Sequence, residues 1–132
     1  MKALCFLLLL ATSGAYGVAV QTTSRNCGPG LAEASQTISE VPFPEDWRVV
    51  LACDAPTWDY LRRKADALET RTAFTNLRGR ITVVNWELFA RPNVVRPAKR
   101  VLWHELGHIR CGCRDENRVA EYELSRRWKG TP

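Results

Sequence analysis

Pro97 to Cys113 reads PAKRVLWHELGHIRCGC, and the rest of the chain organises around this run. Ala98, Leu102, Leu106 and Ile109 recur at the i, i+4, i+8, i+11 spacing of one helical stripe, which predicts a helix with one apolar face. Pro97 suits the first helical position, where the N–H it lacks would have no partner anyway, and Gly112 suits the cap past the last apolar residue. His104 and His108, the two histidines of the chain, are four residues apart and stand one above the other on a second face. Both imidazoles can then reach one ion. Glu105 projects about 100° further round the helix and brings a carboxylate beside that ion.

Two histidines leave a metal ion under-ligated, since a protein-held ion of this kind takes at least three protein ligands. With no third histidine, the missing ligand falls to a downstream carboxylate, and three compete. Glu116 opens a terminal helix expected over 115–128, shares a side with Val119, Ala120 and Glu123, and lies near the expected apolar stripe Ala120-Leu124-Trp128, so it can turn inward; it is the first choice. Asp115 is the second and could equally be the cap of that helix. Glu121, a turn further on, is the third. Tyr122 is a weaker candidate as an additional hydrogen-bond donor, with packing as its plainer role.

Upstream, Trp47 to Cys53 (WRVVLAC) is a β-branched and apolar run that reads as a buried strand. Asp54 then looks like an N-cap with Pro56 just inside the helix. Trp58, Leu61, Ala65 and Leu68 form its apolar stripe, with Arg62, Arg63 and Lys64 facing water. Thr72 to Phe74, a polar turn over Asn76 to Gly79, and Arg80 to Trp86 (RITVVNW) read as a hairpin. Glu87 to Arg96 is a connector limited by Pro92 and Pro97. Residues 20–46 hold little apolar periodicity and read as an irregular arm with a short helix around Leu31 to Gln36. The order predicts an α+β fold, a small mixed or antiparallel sheet packed by helices.

Met1 to Ala19 has the form of an export signal: a basic start at Lys2, an apolar core from Ala3 to Ala11, and small residues at Ala15, Gly17 and Ala19. The core is too short for a spanning helix. The expected division is therefore a signal peptide over 1–19, an arm over 20–46 and a domain over 47–132, of secreted or periplasmic location. The net charge of +5 comes from arginines scattered along the chain without a dense basic run, so a solvated surface is expected and nucleic acid is not. Oligomeric state is not legible.

Export changes the reading of the cysteines. Cys5 leaves with the signal, and Cys27, Cys53, Cys111 and Cys113 predict two disulfides. A Cys111–Cys113 bridge closes a very tight ring, so each of these two is expected to pair with Cys27 or Cys53. One rival use is a Cys111 thiolate as a ligand, three residues past His108 on the same face.

The run His104-Glu105-Leu106-Gly107-His108 resembles the H-E-x-x-H signature of the zincin metallopeptidases at every fixed position. The resemblance covers the motif strongly, the flanking helix and hairpin loosely, and the N-terminal third not at all. It implies a zincin-like domain and a Zn2+ cofactor held by His104, His108 and a carboxylate. It also implies hydrolysis of a peptide or protein substrate by a metal-activated water, with Glu105 as general base. A helix-borne Glu116 is similar to the gluzincin arrangement. Gly112 to Asp115 keeps the Gly-x-x-ligand step of the metzincins, but the glycine comes one residue late. By the same resemblance the Ile81–Trp86 segment is a candidate substrate-aligning strand, with a plain core strand as the alternative. Two readings stand beside the enzyme: a metal-holding binding protein without turnover, and a disulfide-stapled interaction module without stoichiometric zinc.

Overall fold

The computed structural model describes residues 8–10, 19–24, 27, 31–85 and 98–121. Five strands and three helices run in the order β1 (Leu8–Leu10), β2 (Ala19–Thr22), α1 (Leu31–Ser39), β3 (Arg48–Ala52), α2 (Ala55–Lys64), β4 (Ala73–Asn76), β5 (Ile81–Asn85) and α3 (Ala98–Cys111). A last helix, α4, is described over 116–121. The strands form one mixed sheet in the order β1-β2-β3-β5-β4. The three inner strands are parallel, and each outer strand is antiparallel to its neighbour. The fold is α+β, as the sequence predicts.

Successive side chains of a strand alternate between faces, which divides the core in two. Val49 and Leu51 of β3, Val84 of β5 and Ala73 of β4 face α1 and α3, where Ile38, Leu102 and Leu106 complete the larger cluster. Val50, Ala52, Val83 and Phe74 face the other way, against Trp58 of α2. A strand covered on both faces reads as an unbroken apolar run, and this is why WRVVLAC lacks alternation. Asp54 caps α2 as expected: its carboxylate accepts the Thr57 N–H at 2.8 Å. Arg62 departs from the expected solvated face. It is half-buried, pairs with Asp59 at 2.8 Å and donates to the Leu68 and Thr70 carbonyls, whereas Leu68 is exposed.

The N-terminal region carries more structure than an irregular arm. β2 pairs with β3, the helix expected around Leu31 extends to Ser39, and Val20, Ala34, Ile38, Val41 and Phe43 are all buried. One sheet therefore spans the expected boundary at residue 47. β1 and Ala19, the first residue of β2, lie inside the expected leader. The 87–96 connector, Pro97, Tyr122 and the remainder of the segment expected as a terminal helix fall outside the described residues. Among the described residues, no helix is long and apolar enough to cross a membrane.

The cysteine pairing differs from the one expected. Cys27 stands at disulfide distance from Cys53 (Cα–Cα 4.8 Å) and Cys111 from Cys113 (5.1 Å). Cys27 and Cys53 each follow the end of a strand, β2 and β3, and these strands are parallel neighbours, so their ends meet. At the other pair, Gly112 adopts φ 60°, and this reversal brings two residues separated by one into the normal Cα range of a bridge. The thiolate role for Cys111 goes with it, because its sulfur is taken up by Cys113. Paired cysteines of this kind fit an oxidising compartment.

Candidate metal centre

The end of α3 builds the site. Gly112 sits in the left-handed region that favours glycine, and the Cys113 N–H returns to the His108 carbonyl at 3.3 Å, the six-to-one bond of a Schellman turn. A side chain at Gly112 would meet nothing within 4 Å, so the backbone angle and not space demands glycine there. The turn places the Cys113 carbonyl 2.8 Å from His108 Nδ1. A carbonyl only accepts, so Nδ1 donates in this contact and Nε2 is the ring nitrogen left to face Glu116. Such an anchor on the far nitrogen is what holds metal-binding imidazoles in place.

After the turn the chain re-enters a helix. Asp115 is its cap, its carboxylate accepting the Asn117 and Arg118 N–H groups at 2.9 and 3.4 Å. Val119 is buried, but Ala120, expected to lead the inward apolar stripe, is exposed, so the helix turns in along the 116/119 side instead. Glu116 consequently bridges both histidines: Oε2 lies 2.8 Å from His104 Nε2, and Oε1 lies 3.1 Å from His108 Nε2. His104, His108 and Glu116 could hold a metal ion, with their ligand atoms all within 4.8 Å of one another. Asp115 and Glu121 are not part of this group, so the structure brings together the first of the three carboxylates that the sequence offered.

Glu105 projects from the same helix and is 5% exposed. Burial pushes its carboxyl above the ordinary glutamate range, against a hydrogen bond from Thr75 and the nearby histidines, which pull it back. Thr75 Oγ1 donates to Glu105 Oε2 at 2.7 Å. His104, Glu105, His108 and Glu116 line one side of a cleft of about 710 Å³, and the 65–77 region lines the other.

The strand facing that cleft is β4, not the Ile81–Trp86 segment. β5 is paired on both sides, with β3 and with β4, and has no edge to offer a substrate. Among the described residues β4 pairs only with β5 and leaves its other edge open. Asn85 N–H donates to the Thr72 carbonyl, which sets the hydrogen-bond alternation and turns the backbone groups of Ala73 and Thr75 outward. The Ala73 carbonyl is taken by the Thr70 hydroxyl at 2.5 Å.

Thr75 and the Cys113 carbonyl are site groups that the sequence reading missed. A backbone carbonyl has no sequence signal. Thr75 had one, since it lies directly opposite Thr82 once the hairpin register is known. Compared with known proteins, the chain matches no family model, no curated protein and no solved structure.

Proposed function

We propose that the protein is a small, exported zinc-dependent peptidase. The observation that carries this reading is the convergence of His104 Nε2 and His108 Nε2 on the two oxygens of Glu116, with the buried Glu105 carboxylate on the same cleft wall. Two imidazoles and one carboxylate form a donor set suited to zinc, and three protein ligands leave a fourth position open. Zinc bound there would polarise a carbonyl and lower the pKa of water toward 7. Glu105 takes the proton and returns it to the departing amine. The open edge of β4 lies along the cleft and can hydrogen-bond an extended peptide through its backbone, which favours peptide substrates. The cysteine pairs fit secretion or a periplasmic location.

The test measures zinc stoichiometry and peptide hydrolysis on the secreted, oxidised protein. One zinc per chain is expected, with hydrolysis of an unstructured peptide library. Glu105→Gln should keep the zinc and lose about 10²–10⁴-fold in rate. A protein that binds zinc stoichiometrically but cleaves nothing would be the metal-holding binder, and one that binds no zinc would be the interaction module.

A further inference from the structure

Four buried or half-buried groups from four parts of the fold form a single file of hydrogen bonds. Trp47 Nε1 lies 3.0 Å from Thr82 Oγ1, Thr82 Oγ1 lies 2.9 Å from Thr75 Oγ1, and Thr75 Oγ1 lies 2.7 Å from Glu105 Oε2. We propose that Thr75 is the positioning residue of Glu105, and that Thr82 and Trp47 fix the direction in which Thr75 points its proton. The catalytic consequence rests on the peptidase reading; the direction of the file does not.

The direction follows from counting protons. An indole N–H only donates, and a threonine hydroxyl has one proton to give. Trp47 therefore fills one of the two acceptor positions of Thr82, which keeps its own proton to give to Thr75. Thr75 then gives its proton to Glu105. The reverse order would spend the Thr75 proton on Thr82 and leave Glu105 Oε2 without its donor. Thr82 is fully buried and Trp47 nearly so, which makes an unmade bond in the file costly.

The sheet sets the spacing. Thr72 and Asn85 form a hydrogen-bonded pair, so three positions on, Thr75 and Thr82 form a non-hydrogen-bonded pair, whose side chains stand closest. Because the file ends on an indole, which keeps its proton, it orients Glu105 and conducts nothing. With Oε2 held by Thr75, Oε1 is the oxygen left to take a proton in the cleft.

The test uses the zinc-loaded full chain with Thr75→Val and Thr75→Ser. Thr75→Val should keep one zinc and an unchanged KM while kcat falls roughly 10–100-fold, the scale of a misplaced reacting group. Thr75→Ser should restore most of it, and Trp47→Phe should lower kcat several-fold. A fully zinc-loaded Thr75→Val protein with wild-type kcat would overturn the proposal. A second arm needs no turnover: the Trp47 indole N–H resonance, assigned by its loss in Trp47→Phe, should move on Glu105→Gln. It should not move when the same change is made in a Thr75→Val or Thr82→Val background. An indole signal indifferent to Glu105→Gln, or one that responds equally in all backgrounds, refutes the file. If the wild-type protein hydrolyses nothing, the peptidase reading falls, and the indole arm still decides the file.

Discussion

The two faces of the sheet are covered by helices of similar build but carry different contents. The α2 face is closed by Val50, Ala52, Trp58, Phe74 and Val83, with Trp58 and Phe74 rings 5.6 Å apart, and it buries no charged side chain among the described residues. The α3 face buries Thr82, Glu105 and His108 beside its apolar residues. Polar groups in such a place destabilise the fold unless each finds a partner, and there each has one: Thr75 for Glu105, the Cys113 carbonyl for His108, and Trp47 for Thr82. The difference separates a face packed by apolar side chains from one that also carries the residues that could hold a metal ion. The centre of the α2 face, around Trp58, lies away from the candidate metal group, so the two faces should respond differently to substitution.

Trp58→Ala offers the sharpest separation. It should cost about 3–5 kcal/mol in denaturant unfolding, the usual range for a large aromatic removed from a core, and leave zinc affinity unchanged. A loss of zinc binding in the folded variant would break the distinction between the faces. The two cysteine pairs come next. In the chain-entropy account, a closed loop of about 27 residues contributes about 3.5 kcal/mol and one of about three residues about 1.5. Replacing Cys27 and Cys53 by Ser should therefore destabilise the protein more than replacing Cys111 and Cys113. The second pair, however, flanks the turn that presents the Cys113 carbonyl, so its loss should lower zinc affinity about tenfold, at the low end for a group that holds a ligand in place.

Glu116→Ala should weaken zinc binding by at least 100-fold, beyond the range for supporting groups. The residue is exposed, so the zinc-free protein should keep its stability. Asp115→Ala should cost about 1 kcal/mol as a lost cap, with a smaller effect on zinc. Glu121→Ala should change neither. Zinc titrations and urea melts of the three variants check the ranking.

The smallest effect expected is a pH dependence. A carboxyl raised by burial binds its proton more tightly in the folded than in the unfolded chain. Its contribution to stability is complete below the ordinary glutamate value of about 4.3 and is lost as pH rises through the folded value. Zinc-free wild-type protein should thus lose stability relative to Glu105→Gln as pH rises from about 4. Parallel curves for the two proteins would show that Glu105 carries no such shift.

Periodicity made much of this molecule legible in one dimension. The α3 stripe, the i, i+4 histidines with Glu105 between them, the Asp54 cap and the hairpin turn are local, because helix geometry and capping act over four or five residues. The same locality placed Glu116 beside Val119, but the inward stripe it drew through Ala120 was off by a residue, since Ala120 is exposed and Val119 is buried. Tertiary structure decided everything that joins distant parts of the chain. Which strand keeps an open edge depends on the order β3-β5-β4, and no hairpin sequence states on which side its neighbour will pair. The cysteine pairing depends on the parallel β2 and β3 ends and on the reversal at Gly112. The partner of Glu105 lies 30 residues away on another element. A buried carboxylate must find a donor, and sequence alone can state that need; only packing decides which hydroxyl meets it.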